Sequence, residues 1–179
     1  MKKIIILIIL VFPMCLFSQK YIVDDSNVTF FSYAPVEDIK AESVKMQGVV
    51  DFTEKEFFFR IPIDSFIFPS SLMQEHFNES YLESHLFPFS VFKGNFSNSI
   101  EFDEKKTQTI NTTGTILIHG VEKEISISTD LFFQGDEIIF SSQFFIQLKD
   151  FEVKIPKMFI NNIAEEIEIV VKGDLVILE

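Results

Sequence analysis

The sequence predicts an all-β chain, an antiparallel barrel of short strands with one short capping helix. Three observations carry this. Successive segments alternate apolar and polar residues with a period of two, turn residues separate them, and a single stretch switches to a helical period. One wet face and one dry face are what antiparallel strands show, whereas parallel sheets packed between helices read as continuous apolar runs. Many such strands around one apolar interior favour closure, which removes exposed edges; a β-sandwich is the alternative.

The chain opens with MKKIIILIILVFPMCLFSQ, which has a two-lysine start, an apolar run from Ile4 to Phe12 and a polar ending at Ser18 and Gln19. That is the layout of a secretory signal peptide over residues 1–19, too short and wrongly flanked for a stable membrane span. Cleavage near Ser18 or Gln19 removes Lys2 and Lys3 and no acid, taking the net charge from −12 to −14. It also removes Cys15, the only cysteine, so the domain over 20–179 must rest on packing rather than disulfides. Lipidation at Cys15 is disfavoured by Met14, because bacterial lipoprotein signals place a small residue before the cysteine. The expected location is periplasmic or secreted, with no transmembrane segment left after cleavage.

The strands follow in order. SVKMQGVVDF places Val44, Met46, Val50 and Phe52 on the dry face and Ser43, Lys45, Gln47 and Asp51 on the wet one. EFFFRIPI offers Phe57, Phe59, Ile61 and Ile63. KEISISTDLFF offers Ile125, Ile127, Leu131 and Phe133 against Glu124, Ser126, Ser128 and Asp130. EIIFSSQFFIQL continues with Ile138, Phe140, Phe144, Ile146 and Leu148, and EIEIVVKGDLVI closes with Ile167, Ile169, Val171, Leu175 and Ile177. Gly135 and Asp136 suit a tight hairpin, and a longer polar connection runs from about Glu101 to Thr107. No repeat or linker divides the chain.

One segment breaks the period. SSLMQEHFNESYLESHLFP spaces its apolar residues helically, begins with Ser70 and Ser71 as N-cap candidates and stops before Pro88. It predicts a helix from about Ser71 to Ser84 with Leu72, Met73, Phe77 and Tyr81 on its inner face, lying across one opening of the barrel. KDFEVKIPKMFINNIAEE is irregular and is expected at a rim.

Composition excludes some functions. A net charge of −12 lacks the clustered Lys and Arg that phosphate recognition needs, so no nucleic acid is expected. Twenty-three phenylalanines and no tryptophan make the apolar supply unusually aromatic. G-x-S-x-G, H-E-x-x-H and phosphate-binding glycine loops are absent, and no catalytic role is expected. His76, Glu79 and Glu83 share a helical face, but a solvated acidic face looks the same, so no metal or other cofactor is expected. In TGTILIHGVEKEISIS, His119 precedes Gly120 between two strands; His tolerates a left-handed backbone and no companion base motif accompanies it, so it reads as a corner.

The order FRIPIDSFIF, MQEHFNESYLESHLFPFSVFKGNF, GTILIHGVEKEI and LKDFEVKIP resembles the YceI-like family over about Tyr21 to Glu179. Its most specific piece is Gly114, Leu117, Ile118 and Gly120 followed by a charged pair and a strand. The resemblance implies an exported lipocalin-like barrel that binds polyisoprenoid or other long lipids. Two departures stand out: the phenylalanine-heavy interior, and Glu152 where many relatives have glycine after the Asp-Phe pair. The Asn-x-Ser/Thr matches at Asn27, Asn78, Asn95 and Asn111 carry little weight in a bacterial-type chain.

The side chains expected to converge inside are Phe30, Met46, Phe57, Phe59, Phe92, Ile116, Ile118, Phe140, Phe144, Ile167 and Ile169, with Met73, Phe77 and Tyr81 above them on the helix. From the residues alone a packed core is the favoured reading, since any barrel needs one, although barrels of about eight strands are either filled or hold one small ligand. The resemblance tips the expectation toward a ligand-binding cavity for an isoprenoid or fatty-acid-like chain, held as carrier or store. The alternative is a non-catalytic structural or partner-binding barrel with a dry interior. A homodimer stays open.

Overall fold

Nine antiparallel strands follow one another around a single sheet: β1 (Lys20–Ser32), β2 (Ile39–Ser43), β3 (Gln47–Asp51), β4 (Glu56–Pro62), β5 (Phe89–Phe96), β6 (Thr107–Ile118), β7 (Val121–Gln134), β8 (Glu137–Gln147) and β9 (Glu166–Ile177). The computed structural model describes residues 20–97, 99–102, 106–157 and 161–178. The signal segment expected over 1–19, with Cys15, lies outside the described residues.

Strands β3 to β9 pair in sequence order, and β1 pairs with β9 from Tyr21↔Ile177 to Phe31↔Glu168, which shuts the cylinder. The other edge of β1 is shared, Val28–Ser32 with β2 and Lys20–Ile22 with β3. Strands β2 and β3 are therefore two halves of one position, and the barrel has eight positions. Closure decides for a barrel over a sandwich, and the outer edge of the short β2 is met by the chain after β4 at the Glu42–Ile67 bridge.

The split position corrects one expectation. Strand β1 carries an extra residue at Asp24, where its register against β9 shifts between Val23 and Asp25. The facing chain changes phase at the same level: Ala41 and Ser43 are buried from β2, but from the chain entering β3 it is Val50 that is buried, with Met46 half-buried on the same face. An extra residue in only one of two paired strands would turn its partner's apolar set outward, so the two irregularities are matched. Ser43, expected on the wet face, is 2% exposed, and Val44, expected on the dry face, is 57% exposed. The buried Ser43 hydroxyl is satisfied: Lys45 N–H donates to it at 3.2 Å, and it lies 2.6 Å from Ser65 Oγ, which donates to the Pro62 carbonyl. Ile177, also expected inside, is half-exposed at the end of β9.

The tight hairpin is where the turn residues placed it, with Gln134 paired to Glu137 and Gly135 at φ +64°. Glycine has a different task at the β5–β6 crossing. Gly94 and Gly114 face each other, and a Cβ on either would lie 2.2 Å from a backbone oxygen of the opposite strand. The close approach lets the sheet coil sharply there.

The two ends differ. At one, Tyr21, Phe52, Phe96, Phe102 and Phe133 interlock, with ring centroids 5.2–5.7 Å apart, over buried Val50, Ile110, Leu131, Ile138 and Leu175. That cluster closes this end of the barrel, and several of its side chains form the floor of the interior. The other end lies under helix α1 (Ser71–His76), N-capped by Ser70, whose Oγ accepts from Met73 N–H at 3.5 Å. The helix continues as a wider π-type turn over Phe77–Tyr81, in which Leu82 N–H donates to the Phe77 carbonyl and Asn78 Nδ2 donates to the Gln74 carbonyl. Glu83, at φ +45°, then stops it short of the expected Ser84. Met73, Phe77 and Tyr81 form the inner stripe as expected; Leu72 does not, being 58% exposed at the rim. A helix docked on a narrow opening buries only positions four apart, and Leu72 is a residue off that line.

Candidate functional site

The barrel encloses a cavity of about 460 Å³. Its wall takes side chains from the whole circumference: Phe30 from β1, Met46 beside β3, Phe57 and Phe59 from β4, Phe92 from β5, Ile116 and Ile118 from β6, Phe140 and Phe144 from β8, and Ile167 and Ile169 from β9. Met73, Phe77 and Tyr81 border it from the helix. The structure thus brings together all fourteen side chains that the sequence placed inside. It adds others that sequence reasoning missed. Phe66 and Phe68, from the chain between β4 and α1, cradle Phe77 with Phe30, at ring distances of 5.8, 4.9 and 5.5 Å. Phe151 and Val153 pack beneath the β6–β7 end. These four sit in aperiodic segments, where no alternation marks an inward face.

The cavity's lining reaches the open end at Glu37, Ile39, Leu72, His76, Ile155, Asn162 and Ile163. The loops there are tied together: Val36 N–H donates to the Asn161 carbonyl at 3.2 Å, and Ala164 N–H donates to Ser32 Oγ at 2.8 Å. A long molecule meets an edge of mixed polarity and then an interior that is almost wholly apolar.

The serine and threonine hydroxyls on the wall are engaged with protein. Thr112 Oγ1 donates to the Ile127 carbonyl at 2.9 Å, Ser90 Oγ donates to the Leu117 carbonyl at 2.8 Å, and Thr129 and Ser142 share a hydroxyl bond of 2.8 Å. Arg60 sends its guanidinium outward to Gln47 Oε1, at 3.0 and 2.8 Å, and stacks it 5.3 Å over the Phe89 ring. Burial pushes the Tyr81 phenol above its ordinary pKa, so the group stays neutral. Such a wall offers dispersion and desolvation to an apolar chain and little to a charged one.

His119 lies outside the cavity and is more than a corner. It sits at φ +51° with Gly120 at φ +75°, the two-residue primed turn that suits a hairpin. Its ring then staples three segments. Nδ1 is 3.1 Å from the Phe151 carbonyl, and since a carbonyl only accepts, Nδ1–H is the donor. Nε2 lies 2.9 Å from Glu83 Oε2, and Phe87 meets the ring edge-on at 4.7 Å. Gly120 is required there as well, because a Cβ would strike the Phe87 ring at 2.5 Å. Glu83 is thereby drawn away from His76 and Glu79, and among the described residues no three His, Cys, Asp or Glu side chains converge.

A closed antiparallel barrel of eight positions, floored by packed side chains at one end and hollow under a helix at the other, defines a lipocalin-like pocket protein. The chain belongs to the YceI-like family, whose domain spans residues 21–175. Solved structures share the fold at low identity. A polyisoprenoid-binding domain from Saccharophagus degradans, implicated in plant cell wall breakdown, is 12% identical with a TM-score of 0.76, over 88% of this chain and 98% of that one. Burkholderia cenocepacia BcnA is 16% identical with a TM-score of 0.71, over 83% and 95%. A Campylobacter jejuni YceI protein is 17% identical with a TM-score of 0.64, over 82% and 89%. No curated sequence matches the chain significantly. Among the described residues no helix is long and apolar enough to cross a membrane.

Proposed function

We propose that this protein is an exported, non-catalytic lipid-binding barrel that holds a polyisoprenoid-like or other long apolar chain as carrier or store in the periplasm or outside the cell. The observation that carries the reading is the wall just described: a cavity of about 460 Å³ that is almost wholly apolar and whose serine and threonine hydroxyls are bonded to protein. The volume lies in the range of small-molecule pockets, roughly 300–1,000 Å³. Ten buried chain carbons contribute about 8 kcal/mol before the entropy of association is subtracted. Tail burial therefore dominates affinity, and a head group stays near the edge formed by Glu37, His76 and Asn162. The cavity argues against the rival reading, a barrel with a dry packed interior that works through its surface. The polyisoprenoid-binding Saccharophagus domain shares this fold, and the signal-like start supports export.

The test is a fluorescent fatty-acid probe titrated into the purified domain and displaced by isoprenoid alcohols. Saturable, competitive binding that is lost in Ile169→Trp, which fills the cavity from β9, is expected. Probe binding that Ile169→Trp leaves intact would place the ligand elsewhere and overturn the reading.

A further inference from the structure

We propose that Phe59 and Phe140 form a crossbar that sets how long a chain the barrel accepts, an inference that rests on the lipid-binding reading above. In the eight-position ring, β4 and β8 are diametrically opposite, with three positions between them on either side. Their rings nonetheless meet across the interior, with centroids 5.8 Å apart and planes tilted by 35°.

Each ring is seated in a recess made by glycine. Gly48 pairs with Phe59, and a Cβ on it would lie 2.2 Å from the Phe59 ring; Gly173 pairs with Phe140, and a Cβ on it would lie 2.9 Å from that ring. Any other residue at either position would push the rings out of line. Phe57 buttresses the bar from below, 5.9 Å from Phe59 and 4.7 Å from Phe92. Beyond the bar the lining continues down to Phe52, Phe96 and Leu131, at the closed end.

A chain entering under the helix therefore meets two fixed aromatic rings before it reaches the bottom. At roughly 30 Å³ for a water-sized group, the whole interior of about 460 Å³ holds on the order of fifteen chain carbons. That count includes the space below the bar, so a chain stopped at the bar buries fewer carbons and the rest remain in water. Removing the Phe140 ring widens the passage through the one continuous cavity and frees room for on the order of four more carbons, close to one isoprene unit.

The assay is the affinity of straight isoprenoid alcohols of ten, fifteen and twenty carbons, measured by displacement of a fluorescent probe from wild type, Phe140→Ala and Phe59→Leu. Phe140 is buried and packed into the core cluster, so Phe59→Leu, at a half-buried position, serves if Phe140→Ala unfolds. Wild type should reach its plateau by fifteen carbons and gain nothing from fifteen to twenty. Phe140→Ala should bind the twenty-carbon alcohol on the order of a hundredfold more tightly than the fifteen-carbon one, as expected when about four more carbons leave water at about 0.8 kcal/mol each, and Phe59→Leu, which frees less room, should shift the preference the same way by a smaller factor. Folded variants with the wild-type plateau, or a wild type that keeps gaining through twenty carbons, would overturn the crossbar while leaving the lipid reading intact. Failure of every alcohol to bind would overturn both.

Discussion

Phe77→Asp separates a cap from a core. Phe77 hangs from the π-type turn into a nest of Phe30, Phe66 and Phe68, at the end of the barrel opposite the interlocked aromatic cluster. The two packing groups share only Met46 and Val171 at their margins. Truncating a fully buried Phe costs about 3–5 kcal/mol, and Phe77 is half-buried, so loss of the ring costs about 2 kcal/mol. The aromatic contacts and an imperfectly solvated carboxylate bring the total to about 3 kcal/mol. In a chain of this length that lowers Tm by roughly 6–12 °C with cooperative unfolding retained. The effect on ligand exchange is larger in kind, because the ring is part of the lid. If the helix gates the mouth, the dissociation rate of a bound lipid rises about tenfold or more, equivalent to about 1.4 kcal/mol off the barrier. Stopped-flow release of a fluorescent lipid and a thermal melt, on the same variant, read both quantities. Unchanged release in a stable fold, or global unfolding well beyond 3 kcal/mol, would refute the gate.

Other outcomes follow from single positions. His119→Asn keeps a residue that tolerates the left-handed turn but loses the bonds to Phe151 and Glu83; it should cost about 1–2 kcal/mol in a denaturant melt and leave lipid affinity unchanged. A loss of affinity with the fold retained would assign His119 to the binding site. Glu152 occupies φ +57°, a conformation that glycine adopts without strain, so Glu152→Gly should raise stability by about 0.5–1 kcal/mol; a fall would show that the side chain holds the rim in some other way. All three tyrosines have raised pKa values, Tyr21 chiefly and Tyr81 wholly through burial, and Tyr33 chiefly through its hydrogen bond to Glu168. The fold holds these protons more tightly than the unfolded chain does. Whatever stability this contributes is present below pH 10 and lost as pH rises through the raised values. Ultraviolet titration of the phenolates, undisturbed by tryptophan, should show midpoints above 10, and bound lipid should move Tyr81 further up; an ordinary midpoint for Tyr81 would remove it from the cavity wall.

The alternation was legible because each antiparallel strand has one wet face, and it survives intact through β4, β7, β8 and most of β9. It failed at Ser43 and Val44 because a phase change leaves no mark in the pattern. Only the partner strand, with its extra residue at Asp24, explains it. The turn at His119 was readable from local chemistry. Its partners Phe151 and Glu83 were not, lying 32 and 36 residues away. The fourteen inward residues were equally legible, but filled and hollow barrels demand the same alternation. What shapes the interior is geometry: a helix spanning the mouth instead of a plug, and a pair of rings seated over Gly48 and Gly173 that cross the cavity. Neither glycine announced that task, because its cause is a ring on the neighbouring strand.

The central claim is that the cavity carries a lipid, and native mass spectrometry of the protein recovered from its own cell tests it most directly. The account predicts a species heavier than the apoprotein by one apolar molecule, which collapses to the apoprotein mass after organic extraction and reappears in the extract as a long-chain compound. A single mass equal to the bare chain before and after extraction, in protein that also fails to take up an added isoprenoid alcohol, would contradict it.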